Sequence, residues 1–304
     1  MPAVGVNQIM TVTGPIDPSE LGMTLLHEHL YINQGGASRR RNDDLIDEEM
    51  SRFKAEGGRS IVELTLPGIG DPEERLKAIS ERTGVQIVTG SGWYRNPVNR
   101  LPDSRMDPDR EDNMVEYLID EIDDYWSGDP NPGVIGVDRL SVSRREYWVL
   151  RVSARAQVAT GLCLNTPAIR DRGLAQLDIL TEEGVDLSRV VIGYGHDDSY
   201  PPLNYYLEIM DTGATVAFDN IGHPRMHESR VLGVLLGLLE RGYREQVVLS
   251  QDLCYDDSLA ADGYTDYAYL QREFIPKLLE AGVGEKAIHA MTVENPRRLL
   301  TRTM

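Results

Sequence analysis

Residues 24–31 read TLLHEHLY, a short apolar run ending in two histidines, His27 and His29, with Glu28 between them. In a strand, side chains two apart share a face, so both imidazoles would point one way and Glu28 the other. Two nitrogen donors at a strand end suit a divalent cation, with zinc the first candidate. An HxH pair alone is a weak signal. Its weight depends on what surrounds the strand.

Working outward, short β-branched runs alternate with longer amphipathic stretches. The strand-like segments are 23–30, 60–66, 85–91, 133–137, 162–166, 189–195, 214–218 and 246–252. Helical patterns lie between them, as at 71–84, 144–161 and 228–242, each ending in a glycine suited to a left-handed cap (Gly84, Gly161, Gly242). Asp71-Pro72 opens the first of these in the favoured N-cap and N1 order. Eight strand-helix alternations predict an α/β fold of the (β/α)8 TIM-barrel kind. An open doubly wound sheet has the same periodicity, but no glycine-rich phosphate turn follows the first strand. No linker or internal repeat divides the chain. The expectation is one barrel domain over residues 1–304, with an N-terminal extension of about 20 residues.

Composition narrows the partners. The formal net charge of −18 disfavours nucleic acid, since a polyanion would be repelled over most of the surface. No run approaches the roughly 18 apolar residues of a membrane span. The N-terminus MPAVGVNQIM lacks the basic and apolar regions of a signal peptide. With two cysteines, Cys163 and Cys254, no disulfide framework is implied. These features lead us to expect a cytoplasmic protein whose partner is a small-molecule substrate, with a homodimer allowed.

A (β/α)8 barrel carries its active site at the C-terminal ends of the strands. His27 and His29 end the first strand, and Asp252, in VVLSQD, ends the eighth. The first and last strands are neighbours once the barrel closes, so Asp252 could ligate the same cation and accept a proton from attacking water. Trp93 and Tyr94, after the third strand, could wall a pocket or pack in the core. The polar stretch 95–112 that follows reads as a surface loop or a substrate lid. His223 and His227 follow the seventh strand, where His223 could reach substrate. His289 falls in the closing helical region, where a structural role is the default.

The segment GPIDPSELGMTLLHEHL (14–30) resembles the opening of the phosphotriesterase family, in its branch of phosphotriesterase-related proteins and lactonases, within the amidohydrolase superfamily. The resemblance continues in order through SIVELTLPGIG, TGVQIVTGSGWY, GVIG, ATGLCLNT, VVIGYGHDD, GATVAFDNIG, VVLSQD and ENPRRLL, and so runs nearly end to end. It implies an amidohydrolase-like barrel and a metal site that activates water against an ester, lactone, amide or phosphoester.

Members of that family typically hold two cations. The resemblance gives the first to His27, His29 and Asp252, all present. The bridge to the second is a carboxylated lysine or a glutamate at the end of strand four, where this chain has Gly136 or Val137. Its four lysines, Lys54, Lys77, Lys277 and Lys286, lie elsewhere, and Asp138 is one residue too far along unless the strand end is irregular. At the strand-five histidine stands Asn165, or Thr166, both poor zinc ligands. At strand six the alignment offers either His196 as a ligand and catalytic group or Tyr194 as a hydrogen-bonding substrate contact. The expectation is therefore a mononuclear zinc hydrolase with about one cation per chain. The alternatives are a metal-dependent lyase, isomerase or cyclase, and a silent ligand-binding homologue.

Overall fold

The structure, a computed structural model, describes residues 7–32, 43–66, 73–93, 111–123, 134–137, 144–168, 172–194, 201–223, 227–253 and 265–302. A hairpin of β1 (Ile9–Thr11) and β2 (Gly14–Ile16) precedes the barrel. The barrel strands are β3 (Met23–Glu28), β4 (Gly58–Glu63), β5 (Gln86–Trp93), β6 (Val134–Val137), β7 (Cys163–Ala168), β8 (Val190–Tyr194), β9 (Thr215–Phe218) and β10 (Val247–Leu249). All eight run parallel in sequence order. A helix follows each of the first seven: α1 (Asp43–Ala55), α2 (Glu73–Thr83), α3 (Glu111–Asp123), α4 (Arg144–Thr160), α5 (Gly173–Glu182), α6 (Leu203–Asp211) and α7 (Glu228–Glu240). The short α8 (Ile275–Glu280), α9 (Glu285–His289) and α10 (Asn295–Leu300) close the chain. The expected (β/α)8 barrel is present, nearly closed. Gly84, Gly161 and Gly242 have φ of 67°, 67° and 91°, the left-handed geometry their positions after helices suggested.

Strand alternation sorts the core into two shells. Leu26, Val62, Val88, Val134, Cys163, Val191, Ala217 and Val248, one from each strand, form the inner cluster. Leu25, Ile61, Ile87, Ile135, Leu164, Ile192, Val216 and Val247 belong to the outer cluster with the helices. Ile9, Leu21, Leu299 and Leu300 join the inner cluster, so the hairpin and α10 plug the barrel at its N-terminal end. Backbone bonds from Val12 N–H to Ile87 O (2.8 Å) and from Arg302 N–H to Gln8 O (2.9 Å) hold that plug. A packed lower barrel leaves the opposite mouth for chemistry.

Closure between β10 and β3 is made largely by side chains. Asp252 N–H donates to His27 O at 3.1 Å and His29 N–H to Leu253 O at 3.3 Å. The Glu28 carboxylate, fully buried, accepts from Ser250 Oγ (2.7 Å), Gln251 N–H (2.8 Å) and Leu253 N–H (3.0 Å). Burial lifts its pKa to about 8, against the pull of these donors. Glu63, its cross-strand neighbour, accepts from Leu30 N–H and from Thr65 N–H (3.0 Å). Neither glutamate faces the barrel mouth. Each is a buried clasp for a strand end.

Candidate metal centre

Simple alternation would put His27 on the same face as Leu25, which packs outward. A register shift between Leu25 and Glu28 breaks the alternation: Leu25 pairs with Ile61 and Glu28 with Glu63, three residues on β3 against two on β4. This is the geometry of a β-bulge. Leu26 stays in the inner cluster, and the pairing returns Glu28 to the outward set of Glu63. His27 and His29 are thereby turned together into the mouth. The Ser250 hydroxyl accepts the His27 backbone N–H at 2.9 Å beside the shift.

His27, His29 and Asp252 bring one donor atom each to within 4.8 Å of one another. Asp252 Oδ1 lies 3.2 Å from His29 Nε2 and 3.6 Å from His27 Nε2. The aspartate holds this position with φ of 49°, a left-handed conformation that few non-glycine residues adopt and that aspartate tolerates better than most. Behind the rings, His27 Nδ1 lies 2.8 Å from Asp219 Oδ2, and His29 Nδ1 lies 2.8 Å from Thr65 Oγ1. The Asp219 carboxylate at Nδ1 of His27 favours a proton on that nitrogen, and the Thr65 hydroxyl orients the His29 ring, so that each Nε2 is the atom facing Asp252 and the one a bound cation would take in place of a proton. Burial works against charge on His27, but Asp252, Asp219 and Glu28 together outweigh it and lift its pKa to about 10. Two imidazole nitrogens, a carboxylate oxygen and a strongly negative surround fit a divalent cation.

Among the described residues, the inward positions at the ends of β4, β5 and β6 are apolar. On β6 the inward position falls to Gly136, where a Cβ would lie 2.6 Å from Leu66 Cδ2 and 3.6 Å from Leu64 Cδ2. A Cβ on Gly90 of β5 would lie 3.2 Å from Leu64 Cδ2 and 3.5 Å from Leu66 Cδ2. The strands also approach closely here. Gly92, at φ 129°, could carry no side chain, because its Cβ would meet Gly136 O at 2.0 Å. Two leucines from the end of β4 thus fill the space that two glycines leave. Over Gly136, one of the two positions where the resemblance placed a bridging ligand, the neighbouring groups are therefore leucine methyls.

Asn165 is inward on β7 and buried, and its Nδ2 has no hydrogen-bond partner. Trp93, at the end of β5, is 3% exposed and packs in the outer cluster. His223 is half-buried on the turn after β9, its N–H donated to Asn220 O at 3.1 Å. Tyr194 ends β8, paired with Ala168. Tyr94, Asp138, His196, the Asp71-Pro72 pair and most of the 95–112 stretch lie outside the described residues. Asp219 and Thr65 were not singled out in the sequence. The signal for Asp219 was its place directly after a strand, in VAFDN, as Asp252 follows one in VVLSQD.

The parallel eight-stranded barrel thus carries a His/His/Asp donor set where its first and last strands meet. The family model for the phosphotriesterase family matches residues 7–300, and the chain belongs to that family. It is similar to the N-acetyltaurine hydrolase of Dictyostelium discoideum, 28% identical over 97% of this chain and 98% of the relative. Among solved structures it is similar to the phosphotriesterase homology protein from Escherichia coli complexed with phosphate in its active site. That match has a TM-score of 0.84 at 30% identity and covers 94% of this chain and 100% of the other. It is also similar to a mutant organophosphorus hydrolase from Deinococcus radiodurans, with a TM-score of 0.83 at 26% identity, covering 99% and 98%. Family members are hydrolases, typically dependent on divalent metal, and the chain is an enzyme of that kind. Among the described residues no helix is long and apolar enough to cross a membrane.

Proposed function

We propose that the chain hydrolyses a small ester, lactone, amide or phosphoester at a site holding a single zinc ion between His27, His29 and Asp252. The observation that carries this reading is the asymmetry of the mouth. One side gathers three donors whose outer atoms are already fixed by Asp219 and Thr65, while the other is closed by Leu64 and Leu66. A zinc ion there supplies Lewis-acid polarisation and lowers the pKa of water towards about 7.

The protein's own groups divide the remaining work. Asp252, with an oxygen turned towards both imidazoles, is placed to accept the proton of the attacking water. Asp219 and Thr65 hold the rings so that Nε2 of each stays a lone-pair donor. Leu64 and Leu66 exclude water from one wall, which strengthens every polar contact on the other. His196, or Tyr194 beside it, is proposed to orient the substrate from the end of β8. His223 is proposed as a contact from the turn after β9, with Tyr94 bounding the pocket beyond β5, while Trp93 packs in the core.

The test is elemental analysis of protein purified without added metal, coupled to a screen of lactones, esters, amides and phosphotriesters. About one zinc per chain with turnover on one of these classes is the expected result. Two cations per chain would overturn the single-ion reading. A fully zinc-loaded protein without hydrolysis of any class would overturn the reaction.

A further inference from the structure

Between β7 and β9 the inward position of the mouth carries no side chain of its own. The intervening strand, β8, presents Gly193 inward, and a Cβ there would lie 2.5 Å from Asp219 Oδ2 and 3.7 Å from Asn165 Oδ1. The carboxylate that backs His27 leans into that place, with the Asn165 amide beside it. The Asn165 side chain is 3% exposed; as placed, Oδ1 is the end towards Gly193 and Asp219, and the other end, Nδ2, is enclosed without a hydrogen-bond partner, so one polar end of the amide is unsatisfied whichever way it is turned. An orphaned buried donor costs about 1–3 kcal/mol and calls for an explanation in a native fold. A leucine here would be of similar volume and would carry no such cost. Leucines do line the mouth on β4, so the fold readily accommodates them in this layer.

The orientation of the amide follows from its neighbour. A carbonyl oxygen facing the Asp219 carboxylate is repelled, whereas an N–H facing it is favoured. The two ends exchange by a half-turn about Cβ–Cγ, and no hydrogen bond of the Asn165 side chain is lost in the exchange. We propose that Asn165 is the hydrogen-bond donor of this site, its Nδ2 meeting an acceptor oxygen of the substrate held against His27, His29 and Asp252. On the wall that lacks cation ligands, an aligned amide performs the electrostatic part of oxygen recognition. The substrate it selects carries a carbonyl, carboxylate or phosphoryl oxygen about one side chain away from the bond to be cut. This inference rests on the zinc-hydrolase reading above.

The experiment is titration calorimetry of inorganic phosphate into the zinc-loaded protein, comparing wild type with Asn165→Leu and Asn165→Ala. Zinc stoichiometry and Tm are measured on the same samples. A hydrogen bond to a charged oxygen is worth about 1.5–3 kcal/mol, so phosphate affinity should fall by about tenfold or more in both variants. Zinc content should stay at the wild-type level. A change in phosphate affinity below about threefold in both variants overturns the donor role, as does a wild type that binds zinc but no phosphate. A lower Tm with unchanged phosphate binding identifies a structural amide paired with Asp219, and overturns it too. Phosphate binding lost only together with zinc makes Asn165 a support of the cation site, which again overturns it. Wild-type protein that takes up no zinc refutes the cation reading itself, a signal distinct from all of these.

Discussion

The two halves of the barrel mouth solve opposite problems with the same backbone. From β9 through β10 to β3, each strand end delivers a polar group inward or across the seam: Asp219, Ser250 with Asp252, and His27 with His29. From β4 to β6, among the described residues, two leucines interlock with two inward glycines. Chemistry on one side depends on charge and on lone pairs held in place. The other side contributes shape and dryness. The three donors suited to a divalent cation thereby lie at the seam where the barrel closes. The bulged β3 does both jobs there, because it presents the histidines and accepts the bonds that close the barrel.

Removing a donor from the polar half should have the largest effect. His27→Ala and Asp252→Ala are each expected to take zinc content from about one per chain to near zero and to abolish turnover. Both variants should remain folded, since the inner and outer clusters are untouched. Metal analysis with circular dichroism on the same preparation checks this. Wild-type zinc content in Asp252→Ala would move the seam out of the catalytic picture.

The apolar half answers to a different measurement. Leu66 is 2% exposed and packs over Gly136 and Gly90, so Leu66→Ala should cost ~2–5 kcal/mol of stability in chemical denaturation. Its zinc content should stay at the wild-type level. A loss below about 1 kcal/mol would mean that the leucine is not packed into the mouth, and the contrast between the halves would fail.

The outer partners of the imidazoles come next. Asp219→Asn keeps the shape but removes the carboxylate at His27 Nδ1, and zinc affinity should fall about 10–100-fold. Competition with a chromophoric chelator measures this directly. An unchanged affinity would show that the ring is held by packing alone.

Much of the fold was legible from periodicity, because the barrel strands are buried on both faces and read as β-branched runs closed by glycine caps. Gly84, Gly161 and Gly242 marked real helix ends. The convergence of His27, His29 and Asp252 was legible because two strand ends that meet at closure both carry side chains of the metal-ligand type. Other features depend on contacts that no local pattern encodes. The bulge at Leu25–Glu28 is set by pairing with a strand that begins about thirty residues later. Glu28 read as a residue on the far face, and it is there, but its role in closing the barrel depends on Ser250, Gln251 and Leu253, more than 200 residues away. Leu64 and Leu66 read as ordinary strand residues. That they occupy the space over Gly136 follows only from the approach of β4, β5 and β6.

The finest test sits where the two halves touch. Leu64, Thr65 and Leu66 are consecutive, and they split between the halves: the leucines cover the inward glycines, while Thr65 Oγ1 lies 2.8 Å from His29 Nδ1. Thr65 is held for this by the bond from its own N–H to Glu63 Oε1 at 3.0 Å, so the hydroxyl is aimed by the backbone and does not wander. Thr65→Val keeps volume and β-branching and deletes only the hydroxyl. The His29 ring then loses one acceptor for its Nδ1 proton, and zinc affinity should fall by about tenfold, the low end of the effect of such outer partners. The loss should be smaller than for Asp219→Asn, because a neutral hydroxyl orients the ring without adding negative charge behind it. Stability should change little, since valine suits a buried strand end. Chelator competition and denaturation on the one variant separate the outcomes. A tenfold loss of zinc affinity at constant stability places Thr65 with the polar half. A loss of stability with zinc affinity intact would assign it to the leucine wall, and the boundary between the halves would have to be redrawn on the far side of residue 65.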